Sequence, residues 1–138
     1  MGTNSTNTFT AVTGSNVNAG GSLGLNLLGV LGINLNFAPT GQIDGGAGGN
    51  NTLTLQNVVA GPGSGATGTG SAASGTYVNF QHLIVNSGTW SLSGALVSGD
   101  AVLNGGVAQF DADANFGSAA SIASNGGGLA ASTAGSTL

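Results

Sequence analysis

The sequence contains no lysine and no arginine, and its only formally charged side chains are four aspartates. These are Asp44, Asp100, Asp111 and Asp113. Charged residues make up 3% of the chain, against about 25% in ordinary globular proteins. Because nucleic-acid phosphates and anionic membrane surfaces both attract lysine and arginine, neither is an expected partner. The composition is also not that of a normal soluble cytosolic protein.

Cysteine is absent as well, which excludes disulfides, thiolate nucleophiles and zinc sites of the cysteine type. The first residues lack the basic segment, apolar core and small-residue cleavage site of a secretory signal peptide. Secretion would therefore depend on a signal elsewhere. A chain of this length predicts one domain over residues 1–138, since domains have roughly 100–200 residues.

Glycine is abundant, with 28 residues, and Ser, Thr, Asn and apolar side chains fill most other positions. Intrinsic disorder requires low hydrophobicity and high net charge. Here 40% of the residues are hydrophobic and the mean hydropathy is +0.30. Asn, Thr, Ser and Gly favour turns, whereas Val, Leu, Ile and Phe favour the inner face of a strand. The composition is typical of an all-β chain with glycine turns.

A pattern of strand, corner and strand recurs in the second half of the chain. The segment LIVNSGTWSL at residues 83–92 is restated eighteen positions later as AVLNGGVAQF at residues 101–110. A weaker copy, IASNGGGLA, follows at residues 122–130. Stacked coils of a β-solenoid produce such a repeat, because one coil cannot bury its apolar face alone. The sequence therefore predicts a parallel β-helix with polar corners on the outside.

The first half of the chain predicts less regular coils. Strands are expected over Thr8–Val12 and over residues 15–18, but the polar segment 1–22 as a whole predicts irregular, frayed N-terminal coils. Residues 23–37 place apolar side chains at alternate positions, which predicts two strands broken near Gly29. This run is shorter than the roughly 20 apolar residues of a spanning helix, so membrane insertion is not expected.

Glycine-rich stretches separate the later strands. The glycine run at residues 45–51 leads into a predicted strand over Thr52–Gln56. Residues 61–75, GPGSGATGTGSAASG, have no apolar anchor and predict a solvent-exposed Gly/Ser loop inserted into the coil. Residues 77–80 then return to the core.

The segments NTLTL at residues 51–55 and SGTWSLSG at residues 87–94, with Phe80 and residues 83–85 between them, resemble the passenger domains of bacterial autotransporters. In that family a GTW-x-L-x-G strand is followed by coils of G-G-x-L type, and the likeness extends over residues 45–130. The resemblance implies a right-handed parallel β-helix displayed outside a Gram-negative cell. It implies little chemistry, since members include adhesins, aggregation factors, toxins and proteases. The family's signal and C-terminal membrane β-barrel are missing here, so a passenger fragment is expected.

Residues 45–53 partly match the calcium-binding nonapeptide G-G-x-G-x-D-x-U-x, whose aspartates supply oxygen ligands. The glycines fit, but Asn50 stands at the aspartate position and Thr52 at the apolar position, and no second copy follows. Asp44 is the one carboxylate nearby. Calcium near residues 44–51 remains an alternative to a tight glycine turn, and the turn is the prediction.

Three patterns invite a catalytic interpretation, and none is specific. Asp111 and Asp113 would share one face of a strand as a carboxylate pair, although a solvated corner is expected. Ser22 matches G-x-S-x-G, a match that 28 glycines produce by chance. His82 is the only histidine, and Asp100 lies one coil later. We predict His82 at a polar corner, and no catalytic, cofactor-binding or metal-binding residue.

Trp90 has two interpretations. Its ring offers a stacking platform for carbohydrate, because an aromatic face is apolar and its edge is polar. Trp90 and Leu92 also share a strand face, and with Phe80 and Phe110 they are the bulky side chains available to fill a core. The prediction is a core position.

The expected function is a non-catalytic extracellular β-helix that acts as a stalk or adhesive surface on a bacterial cell, with a host surface or carbohydrate as ligand. The alternative is a filament subunit that self-associates through open solenoid ends, since unpaired strand edges promote stacking. An enzyme such as a polysaccharide lyase or hydrolase is a third class. It is not favoured, because stabilising charge on an acidic sugar generally requires lysine, arginine or a metal.

Overall fold

The computed structural model describes residues 3–15, 22–27, 31–36, 41–58, 67–116 and 121–132. In these residues the secondary structure consists of thirteen β-strands and one 3-10 helix, Asp113–Phe116, without an α-helix. No helix in this part of the chain is long and apolar enough to span a bilayer.

The strands follow one another at short intervals. In chain order they are β1 Thr8–Val12, β2 Ser22–Leu27, β3 Leu31–Asn36, β4 Ile43–Asp44, β5 Thr52–Gln56, β6 Thr69–Ala73, β7 Tyr77–Val78, β8 Phe80–Val85, β9 Thr89–Ser93, β10 Val97–Leu103, β11 Val107–Phe110, β12 Ser121–Ser124 and β13 Gly128–Ala131.

Two parallel sheets contain most of these strands. One has the order β1-β5-β8-β10-β12 and the other has the order β6-β9-β11-β13. From β5 onward, each strand of the five-stranded sheet is followed by a strand of the four-stranded sheet, with β7 inserted once before β8. A short parallel pair, β4-β7, forms a third sheet. The prediction of an all-β chain built from parallel strands is confirmed.

The register of the sheets follows the sequence repeat. Leu83 lies opposite Ala101 and Thr89 lies opposite Val107, so neighbouring strands are offset by the predicted eighteen positions. The weaker copy is also in register, with Ile122 opposite Ala101. Identical positions of the repeat therefore stack in rows across both sheets.

The N-terminal segment is more regular than predicted. All five residues of β1 pair with β5, from Thr8 opposite Thr52 to Val12 opposite Gln56. The predicted strand is confirmed, and the prediction of a frayed, irregular segment is wrong for these residues because the sheet extends to them. The strand predicted over residues 15–18 lies outside the described residues from position 16 onward.

The apolar run at residues 23–37 contains two strands, as predicted. β2 ends at Leu27 and β3 begins at Leu31, on either side of Gly29. The two strands pair antiparallel, with Leu23 opposite Leu35. This hairpin is the one antiparallel pairing among the described strands.

The loop predicted for residues 61–75 is wrong in its second half. Thr69–Ala73 forms β6, which pairs with the whole of β9. Ala72 is buried there, opposite Leu92. Residues 61–66 lie outside the described part of the chain. The strand escaped prediction because its inward side chains are a glycine and an alanine, which give no apolar alternation.

The core lies behind the five-stranded sheet. Leu53, Leu83 and Ala101 occupy one row of its inner face and are fully buried. Two aromatic residues predicted as core, Phe80 and Phe110, are buried as well. Alternation of apolar and polar residues along each strand thus puts the apolar side chains inside.

Trp90 fills the core behind the four-stranded sheet. Its exposed fraction is 1%, and its indole N–H donates a hydrogen bond to the carbonyl oxygen of Ser87 at 2.9 Å. In the sheet Trp90 lies between Gly70 and Ala108. A Cβ atom on Gly70 would lie 2.5 Å from the indole Cζ3. The predicted core position is confirmed, and the small neighbours explain how the large ring fits.

The corner between the two large sheets contains a ladder of amides. Asn104 Nδ2 donates to Asn86 Oδ1 at 3.0 Å, and Asn125 Nδ2 donates to Asn104 Oδ1 at 3.1 Å. Asn86 Nδ2 in turn faces Gln56 Oε1 at 3.5 Å. Each amide therefore satisfies the next one along the stack. Polar residues occupy this corner as predicted, but Asn86 and Ser87 are buried and not on the outside.

Candidate functional site

His82 is placed on the outer face of the five-stranded sheet by strand alternation, since Leu83 beside it faces inward. It lies opposite Asp100 in the neighbouring strand, and its Nδ1 pairs with Asp100 Oδ1. Its Nε2 contacts Asn50 Oδ1. The eighteen-residue separation of His82 and Asp100 equals the repeat, which is the signal that places them side by side.

This arrangement lacks the nucleophile of a catalytic triad. A serine or threonine hydroxyl would need the position next to Nε2, and the Asn50 amide is there instead. Both contacts of the ring are with oxygen atoms of neighbouring side chains. The Ser22 pattern falls at the start of β2, within the hairpin. The contacts of His82 with Asp100 and Asn50 therefore cross-link three successive segments of the chain.

Asp44 stabilises the glycine turn that precedes β5. Its Oδ1 accepts hydrogen bonds from Asn79 Nδ2 at 2.7 Å and from the Gly46 N–H at 2.8 Å. These bonds, the Asn79 amide first, hold the pKa of the Asp44 carboxyl below its usual value. Gly46 has a φ of 98°, a left-handed conformation that glycine adopts without strain.

The oxygen atoms of this turn are engaged by protein donors. Asn51 Nδ2 donates to the Gly46 carbonyl at 2.9 Å, and Asn7 Nδ2 donates to the Gly45 carbonyl at 2.9 Å. Asn50 faces His82. Within the described part of the chain there is no group of three or more His, Asp or Glu side chains suited to a metal ion. The residues of the partial calcium pattern thus form a turn held by amides.

Asp111 and Asp113 do not form a pair on one face of a strand. β11 ends at Phe110, and both aspartates are exposed beyond it, with Asp113 at the start of the 3-10 helix. Asn115 Oδ1 accepts hydrogen bonds from the Asp111 N–H at 2.9 Å and the Ala112 N–H at 3.3 Å. The two carboxylates belong to a solvated corner, as expected.

The outer face of the four-stranded sheet carries neutral polar rows. Thr69 lies opposite Thr89, and Ser71 lies opposite Ser91. The Ser91 hydroxyl donates to Gln109 Oε1 on the next strand at 3.1 Å. We call these five side chains the hydroxyl face. It presents hydrogen-bonding groups in register and contains no charge.

A groove with a volume of about 450 Å³ lies beside β7. The connection from β6 to β8 has six residues, 74–79, and includes β7. The equivalent connection in the next coil, from β9 to β10, has only three residues, 94–96. The second connection leaves no strand beside β7. A bulge widens the space, since Ser98 and Gly99 together lie opposite Gln81. The sequence analysis did not predict this groove. The difference in length between the two connections was the only feature of the sequence that indicated it.

Comparison with protein-family models, with curated proteins and with solved structures gives no match for this chain.

Proposed function

We propose that the chain is a segment of a right-handed parallel β-helix on the outside of a bacterial cell, where it serves as a non-catalytic stalk and adhesive surface. The parallel sheets, the strand alternation between them and the amide ladder at their corner support the β-helix. The resemblance of residues 87–94 to autotransporter passenger domains supports the location. Absence of lysine and arginine agrees with a partner other than nucleic acid or an anionic membrane.

The observation that carries the adhesive role is the hydroxyl face. Its threonine, serine and glutamine side chains offer donors and acceptors at the regular spacing of neighbouring strands, about 4.8 Å. Surfaces of this kind bind neutral polar partners through many weak hydrogen bonds, which add up when many copies act together. The engagement of both ring nitrogens of His82 argues against a hydrolase at that position.

Display of the chain on a non-adherent bacterial strain tests the proposal. We expect the number of displaying cells that adhere to host-cell or polysaccharide-coated surfaces to exceed severalfold the number of adhering cells that carry the empty display system. A variant with Thr89→Lys and Ser91→Lys should lose most of this gain, because two charges replace neutral groups of the hydroxyl face. The matched control is Thr8→Lys with Thr10→Lys, which puts two charges on the outer face of β1.

Equal adhesion of displaying and empty cells would contradict the adhesive role. Equal loss in the two lysine variants would leave adhesion in place but show that the hydroxyl face is not its source.

A second candidate function is self-assembly of the chain into filaments. Ile122 and Leu129 occupy inward positions of the edge strands β12 and β13, yet they are 37% and 38% exposed. The residues opposite them, Ala101 and Ala108, are fully buried. Apolar side chains at an unpaired sheet edge favour pairing with another chain.

Light scattering over a range of concentrations tests the filament candidate. The mean mass should rise from that of the 12.9 kDa monomer in the wild type and stay constant in an Ile122→Lys, Leu129→Lys variant. Val58→Lys, which changes an exposed apolar residue away from β12 and β13, should behave as the wild type. A wild type that remains monomeric at the highest concentration would remove this candidate.

A further inference from the structure

The groove beside β7 has an uncharged lining with two amide side chains at its edge. None of the described residues that line it carries a charge, and Phe80, Leu96 and Val97 contribute apolar atoms to it. Asn79 and Gln81 line it as well, and both are at least partly exposed. A pocket of roughly 300–1,000 Å³ with a few fixed polar groups is the usual form of a small-ligand site.

Gln81 is held in one orientation by the fold. Its Oε1 accepts a hydrogen bond from the backbone N–H of Asn51 at 2.8 Å. Since a backbone N–H can only donate, Gln81 must direct its oxygen to Asn51. The remaining group is the Nε2 amide, a donor that has no partner among the described residues.

Asn79 is held in the complementary orientation. Its Nδ2 donates to the Asp44 carboxylate at 2.7 Å, and a carboxylate can only accept. The remaining group is Oδ1, an acceptor without a partner in the described part of the chain. Asn79 also has a φ of 59°, a left-handed conformation that asparagine tolerates better than most non-glycine residues.

β7 adds backbone groups to the same groove. The carbonyl oxygens of Val78 and of Thr76, the residue before β7, accept hydrogen bonds from the N–H groups of Gly45 and Ile43 at 2.9 and 2.7 Å, respectively. In a parallel ladder the intervening residue directs its N–H and C=O to the opposite edge. The backbone of Tyr77 therefore points away from β4, and Tyr77 also lines the groove.

We propose that this groove binds a neutral sugar unit of a polysaccharide, with Gln81 Nε2 as donor and Asn79 Oδ1 as acceptor. A sugar hydroxyl both donates and accepts, so a fixed donor and a fixed acceptor in one groove match neighbouring hydroxyls. Val78 and Ala95, which line the groove and are at least partly exposed, provide apolar contact for the C–H face of the ring. A uronic acid is disfavoured because the chain contains no lysine or arginine to compensate its carboxylate. The groove would give the adhesive function a second binding site besides the hydroxyl face, so the inference extends that function and rests on it.

Isothermal titration with tetrasaccharides of a neutral hexose, an N-acetylhexosamine and a hexuronic acid tests the proposal on the full chain. We expect at least one neutral tetrasaccharide to bind, with at least tenfold lower affinity for the uronic acid. Gln81→Glu keeps the acceptor for Asn51 and replaces the donor with an anion, so affinity should fall at least tenfold. Gln109→Glu, the same change on the hydroxyl face, should alter affinity less than twofold.

A second variant guards against a folding defect at Gln81. Ala95 lines the groove and is exposed, so Ala95→Phe fills the space and should abolish binding, whereas Ala123→Phe on β12 should not. The proposal is overturned if no neutral tetrasaccharide binds, if the uronic acid binds equally well, or if both groove variants bind as the wild type. Binding of a neutral extended peptide in place of every saccharide would also overturn it.

The adhesion assay separates this proposal from the function on which it rests. Equal adhesion of cells displaying the wild type and the Gln81→Glu variant would retain the adhesive function and reject a contribution of the groove to it. Sugar binding in the groove without adhesion of displaying cells would reject the adhesive function instead.

Discussion

Trp90→Ala should lower the free energy of unfolding by about 3–5 kcal/mol, the usual cost of removing a buried tryptophan side chain. The exposed fraction of Trp90 is 1%, and its neighbours on both sides in the sheet are Gly70 and Ala108. Neither neighbour has a side chain that can move into the cavity. Denaturant unfolding followed by circular dichroism measures the change, with Ser91→Ala on the same strand as a control that should cost little.

A double-mutant cycle with Gly70→Ala tests the packing more sharply. A Cβ on Gly70 would lie 2.5 Å from the indole Cζ3 and 2.7 Å from Cε3, so Gly70→Ala alone should cost about 1–3 kcal/mol through overpacking. In the Trp90→Ala background that clash is absent, and an alanine removes the entropic cost of glycine in a strand, about 0.5–1 kcal/mol. An equal cost of Gly70→Ala in both backgrounds would contradict the proposed packing of glycine against tryptophan.

The same pair of residues shows why part of the fold could be predicted and part could not. The sequence around Trp90 predicts a strand with one buried face, because large apolar side chains alternate there with polar ones. Gly70 faces the same core, but a glycine adds no apolar side chain to the sequence pattern of β6. Its side chain is absent because Trp90 occupies the space, so β6 is specified by a residue twenty positions away. A local sequence pattern cannot predict a strand when the space at its inner face is filled by a side chain of the neighbouring strand.

The register was more accessible to prediction than the boundaries. Because side chains alternate with period two, a slip of one residue would expose the whole apolar set, and the asparagines at the corner fix the alignment further. Asn86, Asn104 and Asn125 occupy the same place in three copies of the repeat, and they stack in the structure. The strands β2 and β3 were likewise predictable from alternation around Gly29, but their antiparallel pairing was not predicted.

The candidate site was the least predictable part of the molecule. The groove arises where the three-residue connection at 94–96 supplies no strand beside β7. Its polar groups are fixed by residues distant in sequence, with Asn51 holding Gln81 and Asp44 holding Asn79. No spacing rule links these pairs, since they depend on the stacking of three successive segments. The proximity of His82 and Asp100, by contrast, follows from the repeat length.

Asn51→Ala should have the second large effect on stability. Asn51 is fully buried, and its amide donates to the carbonyl oxygens of Gly46 at 2.9 Å and Asn79 at 3.0 Å, while its Oδ1 accepts from Asn7 Nδ2 at 2.9 Å. Each buried polar group left without a partner costs about 1–3 kcal/mol. Asn7 Nδ2 keeps its bonds to Ser5 Oγ and to the Gly45 carbonyl. Two carbonyl oxygens therefore lose their donor, and we expect a loss of roughly 2 kcal/mol or more, measured by denaturant unfolding. Asn125→Ala, at the exposed end of the amide ladder, should cost within about 0.5 kcal/mol.

Asn51→Asp separates hydrogen bonding from packing at this position, because aspartate has nearly the same shape. It retains an acceptor for Asn7 but directs a carboxylate oxygen at the Gly46 and Asn79 carbonyls, which repel it. A carboxylate there would also be buried without a cationic side chain to balance it, since the chain contains no lysine and no arginine. We therefore expect Asn51→Asp to destabilise the fold at least as much as Asn51→Ala at neutral pH. A nearly neutral effect of the aspartate would mean that volume at position 51, and not the donated hydrogen bonds, holds the glycine turn against β7.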